Sequence, residues 1–474
     1  MSSFKNLLFV FADQMRAFDM GCAGNSEIRT PNFDRLAGAG VNFTHALVNS
    51  PVCTPSRGTI LTGRYPIRHG AVANDLPLGD CRTVADVLKE QGYSTGYIGK
   101  WHLDGIPRDK FTPPGARRRG FDYWAAYNCS HEYFREDKYY LDSPVPEQVS
   151  GYEPEVQTDL AREFLRENRD GPFALYLSWG PPHDPYPDVP ERYRELYRES
   201  GITARPNVEV PGRTAMARRL DYDRSIADYY AAISALDTEM GRLLDCLEDL
   251  GLAESTLVVF TSDHGDMLWS HGMLKKQVPW DEAVRVPLLM RLPGVIAPGS
   301  QSAALASAVD LVPTVLEFLG VEHDGQDMDG SSLTPCLAGD GGPESVLLMD
   351  LMKADESADQ DIPEWRAIRT RDYLYAETVG RAPWMLFDLD QDPFQMRNVV
   401  DMPGYAEIQA DLVRILGSKL KDARDPFVPG VQLVERMGLG PLWRERERVQ
   451  SGAVATGGGS GASDARIAFA ASDG

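Results

Sequence analysis

The chain has 474 residues, and several things are missing from it. No apolar run approaches the roughly 20 residues that a membrane-crossing helix needs, so no membrane partner is expected. Basic charge is short: 48 Lys and Arg stand against 70 Asp and Glu, for a net charge of −22 and a pI of about 4.8. Phosphate backbones need a basic face, so nucleic acid is excluded as a partner. A long polyanion across the surface is disfavoured on the same ground, while a small anion can bind where positive charge is gathered locally. Cysteine is scarce. The six (Cys22, Cys53, Cys81, Cys129, Cys246, Cys336) show no CxxC spacing, and free thiols in a reducing cytosol are expected. The apolar run Leu7–Ala12 is too short for a signal peptide, has no cleavage region and ends in Asp13. It reads as a buried strand, and the expected location is cytoplasmic. There is no internal repeat. Hydrophobic residues are not lacking: at 43% they allow a sizeable core and exclude global disorder. The length suits one large domain and a smaller one.

The most informative stretch is Pro51-Val52-Cys53-Thr54-Pro55-Ser56-Arg57-Gly58-Thr59-Ile60-Leu61-Thr62-Gly63-Arg64. A short helix can start here, with Ile60 and Leu61 facing inward. Cys53 then lies at the helix N-terminus, where free N–H groups and the dipole favour an anion. Arg57, one turn on, points back to the same place. The local design is a reactive side chain beside an anion site.

Other candidates sit where predicted strands end. Leu7–Ala12 delivers Asp13 and Gln14, and Ser255–Ser262 delivers Asp263 and His264. Each alone reads as a cap or a turn, but two strand ends with paired ligands make a bipartite cation site. Ser94–Ile98 delivers Gly99-Lys100-Trp101-His102, with Lys100 and His102 two apart on one face. Gly171–Trp179 leads to Pro181-Pro182-His183-Asp184-Pro185, where a histidine between prolines is suited to placing a proton donor. Asp221–Leu250 has the spacing of a long core helix, Thr83–Gly92 also reads as a helix, and Ala306–Leu319 fits one in which Pro313 sets the start near Val312 or a kink there. Arg117-Arg118-Arg119 reads as a solvated turn. The aromatics after it either wall a pocket or pack the core.

The Cys-x-Pro-Ser-Arg and Leu-Thr-Gly-Arg elements, with Gly-Lys-Trp-His after a strand and His271-Gly272-Met273-Leu274-Lys275-Lys276-Gln277 further on, resemble the formylglycine-dependent sulfatases of the alkaline phosphatase-like superfamily. The resemblance spans roughly residues 5 to 420. It implies an α/β fold with a large, mostly parallel central sheet sandwiched by helices, followed by a small C-terminal antiparallel sheet plus helix. It implies that Cys53 is oxidised to formylglycine by a formylglycine-generating enzyme. The aldehyde hydrate then attacks the sulfur of a small-molecule sulfate ester. Catalytic roles fall on Cys53, Arg57, Lys100, His102, His183 and Lys276, and sulfate binding on Lys100, His183 and Lys276. Lys275 is a close rival for Lys276. The leaving alcohol takes its proton from His183 or Lys276, and His102 serves as base when sulfate is expelled. One divalent cation is implied on Asp13, Gln14, Cys53, Asp263 and His264, with Ca2+ expected from the family and Mn2+ or Mg2+ as alternatives. His264 departs from the commonest ligand set. A nitrogen donor suits Mn2+ or Zn2+ better than Ca2+, and it also fits the phosphonate monoester and phosphodiester hydrolases of the superfamily. That is the alternative function. A non-catalytic anion-binding relative with an unmodified Cys53 is a third reading. Small carbohydrate or other alcohol sulfates are the expected substrates, with Trp101, Trp124 and Tyr127 as candidates for sugar stacking or core packing.

Three regions are expected. Residues 1–340 form the catalytic domain and 341–425 a small α+β subdomain. Residues 426–474, charged and then rich in Gly, Ser and Ala, are expected to be a flexible tail.

Overall fold

Strand β1 (Asn6–Asp13) is buried along its whole length, as an uninterrupted apolar run requires when a strand is covered on both faces. It occupies the interior of an eight-stranded sheet with β2 (Val41–Leu47), β3 (Ser94–Lys100), β4 (Tyr123–Tyr127), β5 (Phe173–Pro182), β6 (Thr256–Ser262), β7 (Leu288–Arg291) and β8 (Ser300–Ser307). The order is β4-β3-β5-β1-β6-β7-β2-β8. Only β7 runs against its neighbours, so seven strands end on one edge. In open α/β sheets ligands bind at that edge. The sheet is covered on one side by the helix Tyr222–Asp249, whose Ile226, Tyr229, Ile233, Leu236, Met240 and Leu243 share a core with Val10 of β1 and Phe260 of β6. The other side is covered by helices that include Cys53–Thr62 and Leu311–Leu319. The computed structural model describes residues 5–135, 141–148, 150–199, 201–322, 325, 327–338 and 341–451. Parts of the Gly/Asp-rich passage around 325–342, with the expected boundary at 340, and the Gly/Ser/Ala tail from 452 lie outside the described residues.

The C-terminal part is a four-stranded antiparallel sheet, β9 (Ser345–Asp350), β10 (Trp365–Thr370), β11 (Tyr373–Thr378) and β12 (Ala382–Asp388), in the order β12-β11-β10-β9. Its period-two alternation divides the side chains between two cores. Val346, Leu348 and Ala367 join the main core, whereas Leu347, Met349 and Ile368 meet Leu412, Leu416 and Leu420 of the closing helix Ala406–Asp422.

The helix after β8 begins at Leu311, one residue before the expected start near Val312, and Pro313 sits in its first turn, where its missing N–H is harmless. Two expectations change. Arg118 is not in a solvated turn. It is 1% exposed, donates to the Thr112 carbonyl and lies over the Trp124 ring at 5.1 Å. The tail is not loose from residue 426. Gly430–Arg436 and Gly440–Gln450 are helices, with Leu433, Val434 and Trp443 buried in the C-terminal core. Among the described residues no helix is long and apolar enough to cross a membrane, and all six cysteines are unpaired.

Candidate active site

The expected residues converge at the common strand edge. Asp13 ends β1, and Asp263 and His264 follow β6 directly. Lys100 ends β3, His183 follows β5, and Cys53 opens the helix after β2. Gly99 lets β3 pass this point. Its φ is +98°, and a Cβ there would meet the Ser178 carbonyl of β5.

Cys53 Sγ is the centre. Lys276 Nζ donates to it from 3.3 Å and Lys100 Nζ from 3.9 Å, His264 Nε2 lies 3.2 Å away, and Asp13 Oδ1 is at 3.9 Å. Burial opposes ionisation of the thiol, but Lys100, Lys276 and His264 outweigh it and hold the group well below its ordinary value. One ligand atom from each of Asp13, Cys53, Asp263 and His264 lies within 4.8 Å of the others, and all four residues are buried. Two carboxylates, an imidazole and a sulfur position in such a cluster suit a divalent cation. Arg57 sits behind the carboxylates. Its Nη2 pairs with Asp13 at 3.1 Å and Asp263 at 2.9 Å, and its Nη1 donates to the Lys100 carbonyl and Ser178 Oγ, both at 2.7 Å. The pattern resembles a brace for the ligands more than an anion contact.

Gln14 faces the same space. Its Nε2 donates to Asp266 at 2.8 Å, which turns its Oε1 toward Lys276 Nζ at 3.0 Å. Lys276 Nζ also lies 2.9 Å from His183 Nε2. Burial disfavours charge on both lysines, yet Asp13 and Cys53 hold Lys100 above its ordinary range, and Cys53 and Glu356 do the same for Lys276. Lys275 is placed differently, 3.5 Å from Asp184 and 3.7 Å from Glu356, and does not reach Cys53. His102 Nε2 lies 3.1 Å from Asp75 Oδ1. Burial works against its charge, but Cys129, Asp75 and Cys53 push its pKa up to about 10. Trp101, Trp124 and Tyr127 are buried at 0%, 2% and 4% exposure; the two tryptophans pack in the core, and Tyr127 donates to Glu153 at 2.6 Å.

Several residues at the site carry no local signal in the sequence. His131 Nε2 lies 3.1 Å from Lys100 Nζ, and its ring stacks on that of His183 at 4.0 Å. Burial, His183 and Lys100 push its pKa well below the ordinary value. Asp75 orients His102, Asp266 orients Gln14, and Glu356 lies 3.8 Å from Lys276. All but Glu356, which opens the short helix Glu356–Asp359, come from loops between elements, and only the fold unites them.

The site and sheet define a hydrolase of the alkaline phosphatase-like type, and the sequence narrows this further. The family model described as Sulfatase matches residues 5–321, and that described as N-sulphoglucosamine sulphohydrolase, C-terminal, matches 269–422. An ulvan-active sulfatase of Formosa agariphila is 37% identical over 432 residues, covering 89% of this chain and 82% of the relative. Arylsulfatase A of Homo sapiens is 33% identical over 440 residues, covering 83% of each. A sulfatase structure from Bacteroides fragilis superposes with a TM-score of 0.82 at 30% identity, covering 90% of this chain and 97% of that one. A structure in complex with its substrate D-glucosamine-2-N,6-O-disulfate gives 0.79 at 26% identity, covering 90% and 99%. The fold alone is shared with a phosphonate monoester hydrolase of Agrobacterium radiobacter, with a TM-score of 0.72 at 24% identity and coverage of 88% and 96%. The chain belongs to the sulfatase family and is a sulfuric ester hydrolase.

Proposed function

We propose that the protein hydrolyses sulfate monoesters of small carbohydrates, with Cys53 converted to formylglycine by a formylglycine-generating enzyme. One observation carries the reading. Two buried lysines, Lys100 and Lys276, converge with His264 on the Cys53 side chain beside a carboxylate cluster. A sulfate ester resists attack because its anionic oxygens repel a nucleophile, so the site needs fixed positive charge at the sulfate and an activated oxygen. The hydrate of a formylglycine at position 53 would supply that oxygen. Asp13, Gln14, Asp263 and His264, with position 53, would hold one divalent cation, which supplies further positive charge for the sulfate oxygens. Ca2+, Mn2+ and Mg2+ are the candidates.

Each side chain then has a role. Lys100, Lys276 and His183 bind the sulfate. The Lys276 and His183 pair, 2.9 Å apart, protonates the leaving alcohol. His102, held by Asp75 at 3.1 Å, exchanges a proton with position 53 as sulfate leaves, and the part of its raised pKa that Cys53 causes is lost once that thiol is replaced by the aldehyde hydrate. Arg57 braces Asp13 and Asp263. The six unpaired cysteines support a reducing, cytoplasmic location. The sugar reading draws on relatives: one is an N-acetylglucosamine-6-O-sulfatase of Bacteroides thetaiotaomicron, 28% identical over 89% of this chain, and another structure binds a sulfated glucosamine. The acidic overall charge favours a single terminal sulfate over a polymer.

Two outcomes are expected. Measured as kcat/KM, a sugar sulfate should exceed a matched phosphate diester and a phosphonate monoester by orders of magnitude at equal metal occupancy, because the site is complementary to one transferred group. An equally large preference for diester would move the protein to the phosphodiesterase reading that His264 suggests. Lys276→Ala should lower kcat/KM for a sulfate ester by about 100- to 1,000-fold, the scale of one lost transition-state charge contact. Lys275→Ala should cost less than about tenfold, because its ammonium faces Asp184 and Glu356 at the partly exposed rim. Steady-state kinetics of both variants check the assignment.

A further inference from the structure

The helix Gly440–Gln450 lies beyond both matched regions, which end at residues 321 and 422. Its position is nevertheless tied to the active site. Arg446 is 2% exposed. Its Nε donates to the Asn74 carbonyl at 2.8 Å, its Nη2 donates to Asp355 at 2.6 Å, and Asp75 lies 4.0 Å from Nε. The Trp443 ring of the same helix lies 4.8 Å from its guanidinium. One turn on, Gln450 Nε2 donates to Asp75 Oδ2 at 3.1 Å and to Asp355 Oδ1 at 3.4 Å. The residues they grip lead directly inward. Asp75 Oδ1 lies 3.1 Å from His102 Nε2, and Asn74 Oδ1 accepts from the backbone N–H of Thr54, next to Cys53. Asp355 precedes Glu356, which lies 3.8 Å from Lys276.

The backbone of these loops needs such a grip. Asp75, His102 and Asp355 all have positive φ, at 66°, 54° and 50°. Non-glycine residues hold that conformation only where their surroundings over-determine it. Asp75 and Asp355 also repel each other as neighbouring carboxylates. Arg108, which donates to Asp75 at 2.9 Å and 3.0 Å, offsets part of this. Arg446 spans the two carboxylates and Gln450 bonds both.

We propose that Arg446 and Gln450 are positioning residues of the active site: through Asp75 and Asp355 the C-terminal helix fixes where the His102 imidazole stands relative to position 53. This rests on the reading of His102 as a catalytic group. Neither residue reaches Cys53 itself. Their loss should therefore slow the chemical step without weakening substrate binding to the lysines.

The experiment uses full-length Arg446→Ala, Arg446→Lys and Gln450→Ala, each also combined with His102→Ala, assayed on an aryl sulfate after mass spectrometry has matched formylglycine content across the set. Arg446→Ala should lower kcat by about 10- to 100-fold, the range for displaced supporting groups, and Gln450→Ala by about tenfold, with KM within about twofold. Arg446→Lys, which keeps the charge but loses the fork, should recover part of the rate. In the His102→Ala background the same changes should cost nothing further, since residues acting through one group are not additive. Losses that add fully in that background, a KM change without a kcat change, or no rate change at all would overturn the proposal. A variant that merely unfolds is separated by its melting temperature, and Gln450→Ala, at the exposed helix end, then carries the decision. Wild type inert on the aryl sulfate would instead count against the sulfatase reading.

Discussion

Cys53→Ala should abolish turnover, lowering kcat by roughly five orders of magnitude, as removal of a nucleophile does in other covalent hydrolases. The geometry explains why nothing substitutes. Three groups of the cluster are aimed at position 53: Lys276 at 3.3 Å, His264 at 3.2 Å and Lys100 at 3.9 Å. Residual binding of sulfate would be retained by Lys100, Lys276 and His183, so the loss should fall on kcat. Cys246→Ala is the control. That thiol is buried in the helix Tyr222–Asp249, in the core this helix shares with Val10 and Phe260 and away from the cluster, and its loss should leave kcat near wild type. Cys53→Ser sharpens the test. A serine has one hydroxyl, so it can take sulfate once, but it has no second hydroxyl to expel it. The expected product is a single turnover that leaves a sulfated serine, visible by mass spectrometry of the peptide spanning residue 53. The same method applied to active wild type should find the aldehyde at this residue. Full activity with only unmodified thiol would remove both formylglycine and this account of the site.

Much of this site is legible in the sequence because it sits where apolar runs stop. Asp13, Lys100 and His264 follow buried strands whose lengths are set by the core, so their arrival at one edge follows from parallel pairing. Cys53 and Arg57 are fixed relative to each other by one helical turn. The supporting residues follow no such rule. Asp75, His131 and Asp184 lie in loops and Glu356 opens a one-turn helix, and nothing in their local pattern brings His131 to within 3.1 Å of Lys100 or Asp75 to His102. The last helix misleads for a different reason. Trp443-Arg444-Glu445-Arg446-Glu447-Arg448 alternates in charge like a solvated segment. Yet Trp443 and Arg446, three apart, share a buried face, and the charge of Arg446 is satisfied by Asp355 and the Asn74 carbonyl. Periodicity in hydrophobicity cannot reveal a helix held partly by a buried ion pair.

Removing the metal should be nearly as damaging as removing Cys53. Exhaustive chelation should abolish hydrolysis, and a divalent cation added back should restore it. Elemental analysis should find about one cation per chain, the occupancy that a single cluster of this kind supports. The supporting argument is electrostatic. Asp13 is held below the usual carboxylate range: burial and Cys53 push it up, but Lys100, His183 and Arg57 outweigh them. It is therefore an anion ready to coordinate. Asp263 is pushed the other way, by burial and then by Asp13, and a cation between the two would relieve that repulsion. Asp263→Asn is the preferred variant because it keeps the shape. Asp263→Ala also strips Arg57 of one of its two carboxylates, and breaking a buried pair costs about 3–5 kcal/mol on its own. Bound metal in Asp263→Asn should fall well below stoichiometric, with activity falling in proportion. His264→Asn replaces a nitrogen donor with an oxygen and should raise the restoring power of Ca2+ relative to Mn2+, compared with wild type. The decisive measurement is metal content and rate on the same samples. Full activity in a preparation shown to be metal-free would rule out the cation site, whatever the ligand variants do.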